Sequence, residues 1–245
     1  MFFDDPDILF HCSTEDILSS LKEGADINYV NQHGENALFY SDASKSLILI
    51  KHGINVNHRD KFGKTALFDS AFEKSKILLE HGAEPNILTH NTEVNALFTT
   101  NNIEKMKLLI KYNINVNHID KNGKNAAFYN ISLDKTKLLH NNGIDLKIED
   151  EKGYNLLTYL TFLTLPYIAL MEIADYLINC NIDIKPLEKL IKKMENDSED
   201  VFASISEDEI EYCKKFYNDV SIKKEGFDIL SALDNNQQQI TKKRI

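Results

Sequence analysis

The chain has 245 residues, 42% of them hydrophobic and 27% charged, an ordinary balance for a folded globular protein. A formal net charge of −10 argues against sequence-independent nucleic-acid binding and against docking on an anionic membrane, and it would steer in a basic protein partner. Three scattered cysteines (Cys12, Cys180 and Cys213) form no Cys-x-x-Cys pair, and the acidic start Met1-Phe2-Phe3-Asp4-Asp5-Pro6-Asp7 lacks the basic region of an export signal. Free thiols in a reducing cytoplasm are therefore expected.

The first predicted element is a helix starting at Thr14, which precedes a variant first phrase, Leu21-Lys22-Glu23-Gly24-Ala25-Asp26-Ile27-Asn28. From there one phrase recurs: Gly34-Glu35-Asn36-Ala37-Leu38-Phe39, Gly63-Lys64-Thr65-Ala66-Leu67-Phe68, Glu93-Val94-Asn95-Ala96-Leu97-Phe98, Gly123-Lys124-Asn125-Ala126-Ala127-Phe128, and a worn Gly153-Tyr154-Asn155-Leu156-Leu157-Thr158. The copies start at 34, 63, 93, 123 and 153, steps of 29, 30, 30 and 30, so one supersecondary unit is stacked on itself. Asn31, Asp60, Asp120 and Asp150, each three residues before a glycine, predict a type I turn. The Asn or Thr before Ala-Leu or Ala-Ala sits where a helix N-cap belongs. A second helix follows with paired aliphatics at Leu49-Ile50, Leu78-Leu79, Leu109-Ile110 and Leu138-Leu139, and Gly53, Gly82, Asn113 and Gly143 end it in a left-handed cap. Extended pieces such as Ile54-Asn55-Val56-Asn57 complete the unit.

These residues resemble the ankyrin repeat. Leu78-Leu79-Glu80-His81-Gly82-Ala83-Glu84-Pro85-Asn86 follows that family's second phrase, and Thr65-Ala66-Leu67-Phe68 follows its first with Ala for Pro and Phe for His. The resemblance covers roughly residues 12–184. It implies an all-α, ankyrin-like solenoid of stacked helix-turn-helix repeats with a C-terminal helical cap. The period falls short of the family's length of about 33 residues, and the residues lost lie between the two helices. That tighter connection predicts shortened helices, or helices that are partly 3₁₀. The expected organisation is a repeat array over 1–184, a helical cap over 185–234 and a flexible tail over 235–245.

The unit at Gly153 reads as an enlarged last repeat whose apolar first helix breaks near Pro166. Residues 154–171 lack charge, but Pro166 and three threonines favour a buried hairpin over a membrane span. Beyond Pro186 the repeat fades. Ser206-Glu207-Asp208-Glu209 reads as a capping box opening a helix to about Asp219, with a last helix from Phe227 to Leu233. Eight acids and no base lie between Glu195 and Glu211, a pattern that the helix macrodipole explains as well as an acidic docking site does.

No catalytic constellation, phosphate loop or metal motif is present, and no cofactor is expected. His52 and His81 share one repeat position beside a helix end, where capping is the expected role. His58 and His118 share another, two repeats apart and too distant for one ion.

What remains is recognition. Positions constant between copies should hold the stack, while variable positions are free to contact a partner. The expected contacts are Tyr29, His33, Tyr40, His58, Arg59, Phe62, Asp69, His90, His118, Asn122, Tyr129, Glu149, Glu151 and Lys152. Tyrosine and arginine are frequent interface anchors, and a phenylalanine at a turn tip is unusual without a partner. The reading is a non-catalytic module, monomeric when unbound, that grips another protein through its concave face and turn fingers. Similar short-period proteins are frequent in bacteria. The resemblance and the charge together suggest an immunity protein that occludes a basic toxin domain. The alternatives are a host-directed effector, or an enzyme with its site between the last repeat and the C-terminal helices.

Overall fold

A computed structural model describes residues 7–129, 131–196 and 206–242. The centre of the acidic stretch, 197–205, lies outside the described residues, as does the chain beyond Lys242. Among the described residues all regular structure is helical. The chain divides into two compact units, residues 1–121 and 122–245, and the same hairpin recurs in each.

The first unit opens with α1 (Ile8–His11) and α2 (Asp16–Lys22). Three hairpins follow. A 3₁₀ turn at Ala37–Phe39 leads into α3 (Ala43–Lys51). Turns over residues 66–68 lead into α4 (Phe72–Glu80). The four-residue α5 (Ala96–Thr99) leads into α6 (Ile103–Lys111). The shortening expected of the helices falls on the first of each pair, while α3, α4 and α6 each keep nine residues. Helices α3, α4 and α6 pack side by side over Leu49, Leu78 and Leu109, all fully buried.

Asparagine before the first helix has two tasks. The side-chain oxygens of Asn36 and Asn95 cap the turn by accepting the N–H of Leu38 and Leu97, each at 3.1 Å. Their amides then donate to the carbonyls of Asn55 at 3.0 Å and Asn115 at 3.1 Å, tying each hairpin to its own extended segment. Other asparagines join successive repeats. Asn57 accepts from Glu84 N at 2.8 Å and donates to Gly82 O at 3.0 Å, and Asn86 repeats the pair with Asn115 N and Asn113 O at 2.7 and 3.0 Å. Asn113, at φ 60°, takes the left-handed position that Gly53, Gly82 and Gly143 hold in three other copies and Asn181 holds in the last, and Ile114 N reaches Leu109 O to close the helix.

A row of buried lysines supplies the rest of the polar lattice. Lys45, Lys74 and Lys105 sit at one register of the second helix and are 7%, 7% and 3% exposed. Each sends its ammonium to backbone carbonyls of the preceding repeat. Lys45 donates to Phe10 O and Cys12 O at 3.1 and 3.0 Å, Lys74 to Leu38 O and Phe39 O, and Lys105 to Leu67 O, Phe68 O and Ser70 O at 2.8, 3.0 and 2.8 Å. A one-turn helix leaves its last carbonyls without intrahelical donors, and a cation placed there satisfies both the oxygens and the dipole. Burial pulls the pKa of Lys74 and Lys105 down to about 8.

The second unit holds a 3₁₀ turn at Ala126–Phe128, α7 (Leu133–Asn141), α8 (Leu156–Tyr159), a 3₁₀ turn at Leu160–Phe162, and then α9 (Tyr167–Asn179), α10 (Lys185–Asn196) and α11 (Glu207–Lys242). Asn125 and Asn155 reuse the double device, with amides on Asp145 O and Asp183 O at 2.6 Å each. The last repeat breaks between Phe162 and Tyr167, with Leu163 and Pro166 in extended conformations. Ser206 and Glu209 form the expected capping box, Glu209 Oε2 lying 2.8 Å from Ser206 N. Against expectation, α11 does not stop near Asp219 and restart at Phe227; it is one helix of 36 residues running through Gly226. An exposed helical glycine costs only about 1 kcal/mol, and the buried Cys213, Phe216 and Val220 hold the helix against α9 and α10. No helix of the described residues is long and apolar enough to cross a membrane.

Candidate partner-binding face

Each finger is built by one side chain that closes its own turn. In the first unit, Asp60 Oδ1 accepts the N–H of Phe62 and Lys64, both at 2.8 Å, and Asp60 N reaches Lys64 O at 2.9 Å. Asn31 does the same for His33 and Glu35 at 2.8 and 3.1 Å. The third finger is one residue longer, because Thr89 pairs with Val94 rather than with a residue four places on. This extra residue accounts for the first 30-residue step. Glu93 takes a left-handed conformation there at φ 55°, standing where the other copies have glycine.

Neighbouring fingers are hydrogen-bonded to one another. Lys61 N donates to His33 O at 3.1 Å and His90 N to Phe62 O at 2.8 Å; in the second unit Glu151 N donates to Asn122 O at 3.0 Å. Gly63 is required in this row, since a Cβ there would lie 2.9 Å from His90 N.

Several residues expected to contact a partner are committed to this row. The His58 ring sits 2.6 Å from Gly34 O and the His118 ring bonds to Glu93 O, so both histidines latch one finger to the previous one. Arg59 donates to Gly63 O at 3.3 Å and Leu88 O at 2.6 Å, and its guanidinium lies 3.5 Å from the His90 ring. Tyr29 is half-buried with its ring edge against Phe10. Tyr40 is exposed by 53%, yet its hydroxyl donates to Glu35 and accepts from Asn31 Nδ2 at 3.1 Å. The bond to Glu35 raises its pKa, with burial adding to it. Tyr159, at the same repeat position, makes the matching bond to Asp150 at 2.7 Å and lies under Lys124. His52 and His81 cap their helices through Ile48 O and Ile77 O at 2.9 and 2.8 Å.

The variable positions lie at the surface. In the first unit the residue before the turn glycine or its substitute is His33, Phe62 or Thr92, and the residue after Leu-Phe is Tyr40, Asp69 or Thr99; all six are exposed. Phe62 stands out at 58% exposure. Asp69 and Thr99 border a cleft of about 520 Å³, with Phe72 and Asn101 on its walls and Lys105 within it. Asp69 pairs with Lys64 at 3.0 Å. In the second unit Asn122, Glu149, Glu151 and Lys152 are exposed and Tyr129 is half-buried. Sequence reading missed Lys61, which lies between His33 and Phe62, and Thr99 as lining for the cleft. The internal alignment of copies carries the signal for both.

The described residues contain no group of three or more His, Cys, Asp or Glu side chains able to hold a metal ion. A second, more apolar cleft lies in the second unit, lined by Phe162, Leu165, Met194, Tyr212 and Cys213 among others. Burial pushes the Cys213 thiol up, away from the thiolate a nucleophile needs.

Fold and surface together define an all-α ankyrin-repeat solenoid. Comparison with known proteins agrees. The chain superposes on the crystal structure of EF0377, an ankyrin repeat protein, with a TM-score of 0.57 and 20% identity over 66% of this chain and 90% of that one. No protein-family model and no curated protein matches the sequence.

Proposed function

We propose that this protein is a non-catalytic binding module that engages a partner protein through its finger tips and first short helices. One observation carries the reading: copies that preserve their buried positions diverge at surface-exposed ones. In the first unit Ala37-Leu38, Ala66-Leu67-Phe68 and Ala96-Leu97-Phe98 are buried, while His33, Phe62, Thr92, Tyr40, Asp69 and Thr99 are not. Among these variable positions Phe62 puts an apolar ring at a tip where the other copies carry His33, Thr92, Asn122 and Lys152. In the second unit, α10 packs on α8 and α11 along α9, which suits these helices to closing the array at its C-terminal end.

Occlusion of a toxin domain in the cytoplasm is the more specific form of this reading, and the net charge of −10 is what favours it. A photo-reactive amino acid placed in turn at positions 62, 69 and 99, and at Lys76 and Lys107 on the second helices, tests the assignment in the native cell. Adducts to a defined protein from the first set alone support it; adducts confined to the second set refute it.

A further inference from the structure

We propose that the finger at residues 58–64 and its neighbours recognise an acidic peptide segment carrying an aromatic or aliphatic side chain. This rests on the binding reading above and names the chemistry of the partner.

The chain is strongly acidic, but this finger is not. His58-Arg59-Asp60-Lys61-Phe62-Gly63-Lys64 holds three cations and one acid. The acid, Asp60, is 7% exposed and turned inward onto the N–H groups of Phe62 and Lys64. Lys64 is paired with Asp69, which leaves Arg59 and Lys61 as the outward charges. The preceding finger, residues 31–35, carries one acid and no cation, and so does the following one, 89–93. Of those two acids, Glu35 is held by Tyr40 and Asn31.

Backbone bonds hold the finger that carries this charge. Arg59 is clamped by Gly63 O and Leu88 O beside the His90 ring. Lys61 N is pinned to His33 O, and the lysine's Cγ would lie 3.2 Å from a Cβ at Gly34. Phe62, next to Lys61 in the chain and bound through its carbonyl to His90 N, is 58% exposed. An exposed aromatic on a backbone-pinned finger with two outward cations favours a ligand with an apolar side chain set among carboxylates, because little backbone entropy is lost in ordering the receptor. The same arrangement repels a basic segment. A toxin domain occluded through this finger would therefore meet it with an acidic segment, whatever the toxin's net charge.

Selection of a displayed random dodecapeptide library on the full-length protein tests the proposal. Enriched sequences should be acidic with one aromatic or large aliphatic residue. Their synthetic copies should bind at least tenfold more weakly to Phe62→Ala and to Lys61→Glu, two exposed substitutions that leave the circular dichroism spectrum unchanged. Enriched peptides that depend on Phe62 but are basic would overturn the charge assignment while leaving the finger face as a binding surface. Acidic peptides indifferent to both substitutions, an absence of enrichment, or tighter binding of a single-stranded oligonucleotide at the same finger would overturn the proposal outright. The cross-linking scan decides separately whether the face binds a protein at all.

Discussion

Replacing Lys105 with methionine separates the two opposing costs of a buried ammonium. The side chain is 3% exposed and supplies three charge-assisted bonds to Leu67 O, Phe68 O and Ser70 O. Hydrogen bonds to a charged group contribute about 1.5–3 kcal/mol each. Against them stands the cost of burial: a pKa lowered from 10.5 to about 8 corresponds to about 3 kcal/mol. Methionine keeps the length of the side chain, removes the burial cost and strands three carbonyls. The net loss is then about 1–5 kcal/mol, with the centre near ~3. Urea unfolding followed by circular dichroism measures it, with Lys107→Met as the control. Lys107 is exposed, pairs only with Glu104 in that helix's first turn, and should change stability by less than about 1 kcal/mol. A Lys105→Met protein as stable as wild type, or more so, would show that the carbonyls do not need the ammonium and would refute this account of how the shortened repeat is held.

The same lysines give a pH signature. Their folded pKa near 8 lies below the unfolded value of 10.5, so between those limits the unfolded chain binds more protons and stability rises with pH. The wild-type advantage over Lys105→Met should widen from pH 8 to 10; an advantage that narrows contradicts the assignment. Asn95→Thr keeps the cap on Leu97 N but loses the bond to Asn115 O, and should cost about 1 kcal/mol in chemical denaturation, whereas Thr65→Ser at the equivalent site should be nearly neutral. Gly63→Ala should destabilise by more than the ~1 kcal/mol strain of a left-handed alanine, because its Cβ meets His90 N, while Gly82→Ala, with open space around it, should show the strain alone. Tyr40→Phe removes the hydroxyl that bridges Asn31 and Glu35, and amide exchange at residues 31–35 should speed up with no change elsewhere in the first unit.

Most of the hairpin was legible because its determinants are local. The Asp60-x-x-Gly63 turn, the Asn36 cap and the helix end at Gly53 follow from backbone preferences that nearby side chains satisfy, and the missing residues per repeat pointed to shortened helices without saying which of the pair would lose them. The lysine row was not foreseen. A lysine in a polar helix reads as solvated surface, and only its constant register at Lys45, Lys74, Lys105 and Lys135 marks it as different. The candidate face was legible in part. The variable positions were correctly separable from the core, but His58, His118 and Arg59 looked like free finger tips when they are fasteners between fingers. Their partners are backbone carbonyls 24 to 29 residues away, which no local pattern reveals. The continuity of α11 was not legible: a helix ending near Asp219 and another from Phe227 to Leu233 were expected, and packing on α9 accompanies a single helix through Gly226.

A combined substitution, Phe62→Ala with Asp69→Ala and Thr99→Ala, tests most directly whether the variable surface is for binding and the constant interior for stability. Its melting temperature and its retention of the cross-linked partner are measured on one preparation. Partner retention should collapse while melting stays within a few degrees of wild type. A protein that melts early yet still holds its partner would contradict the account.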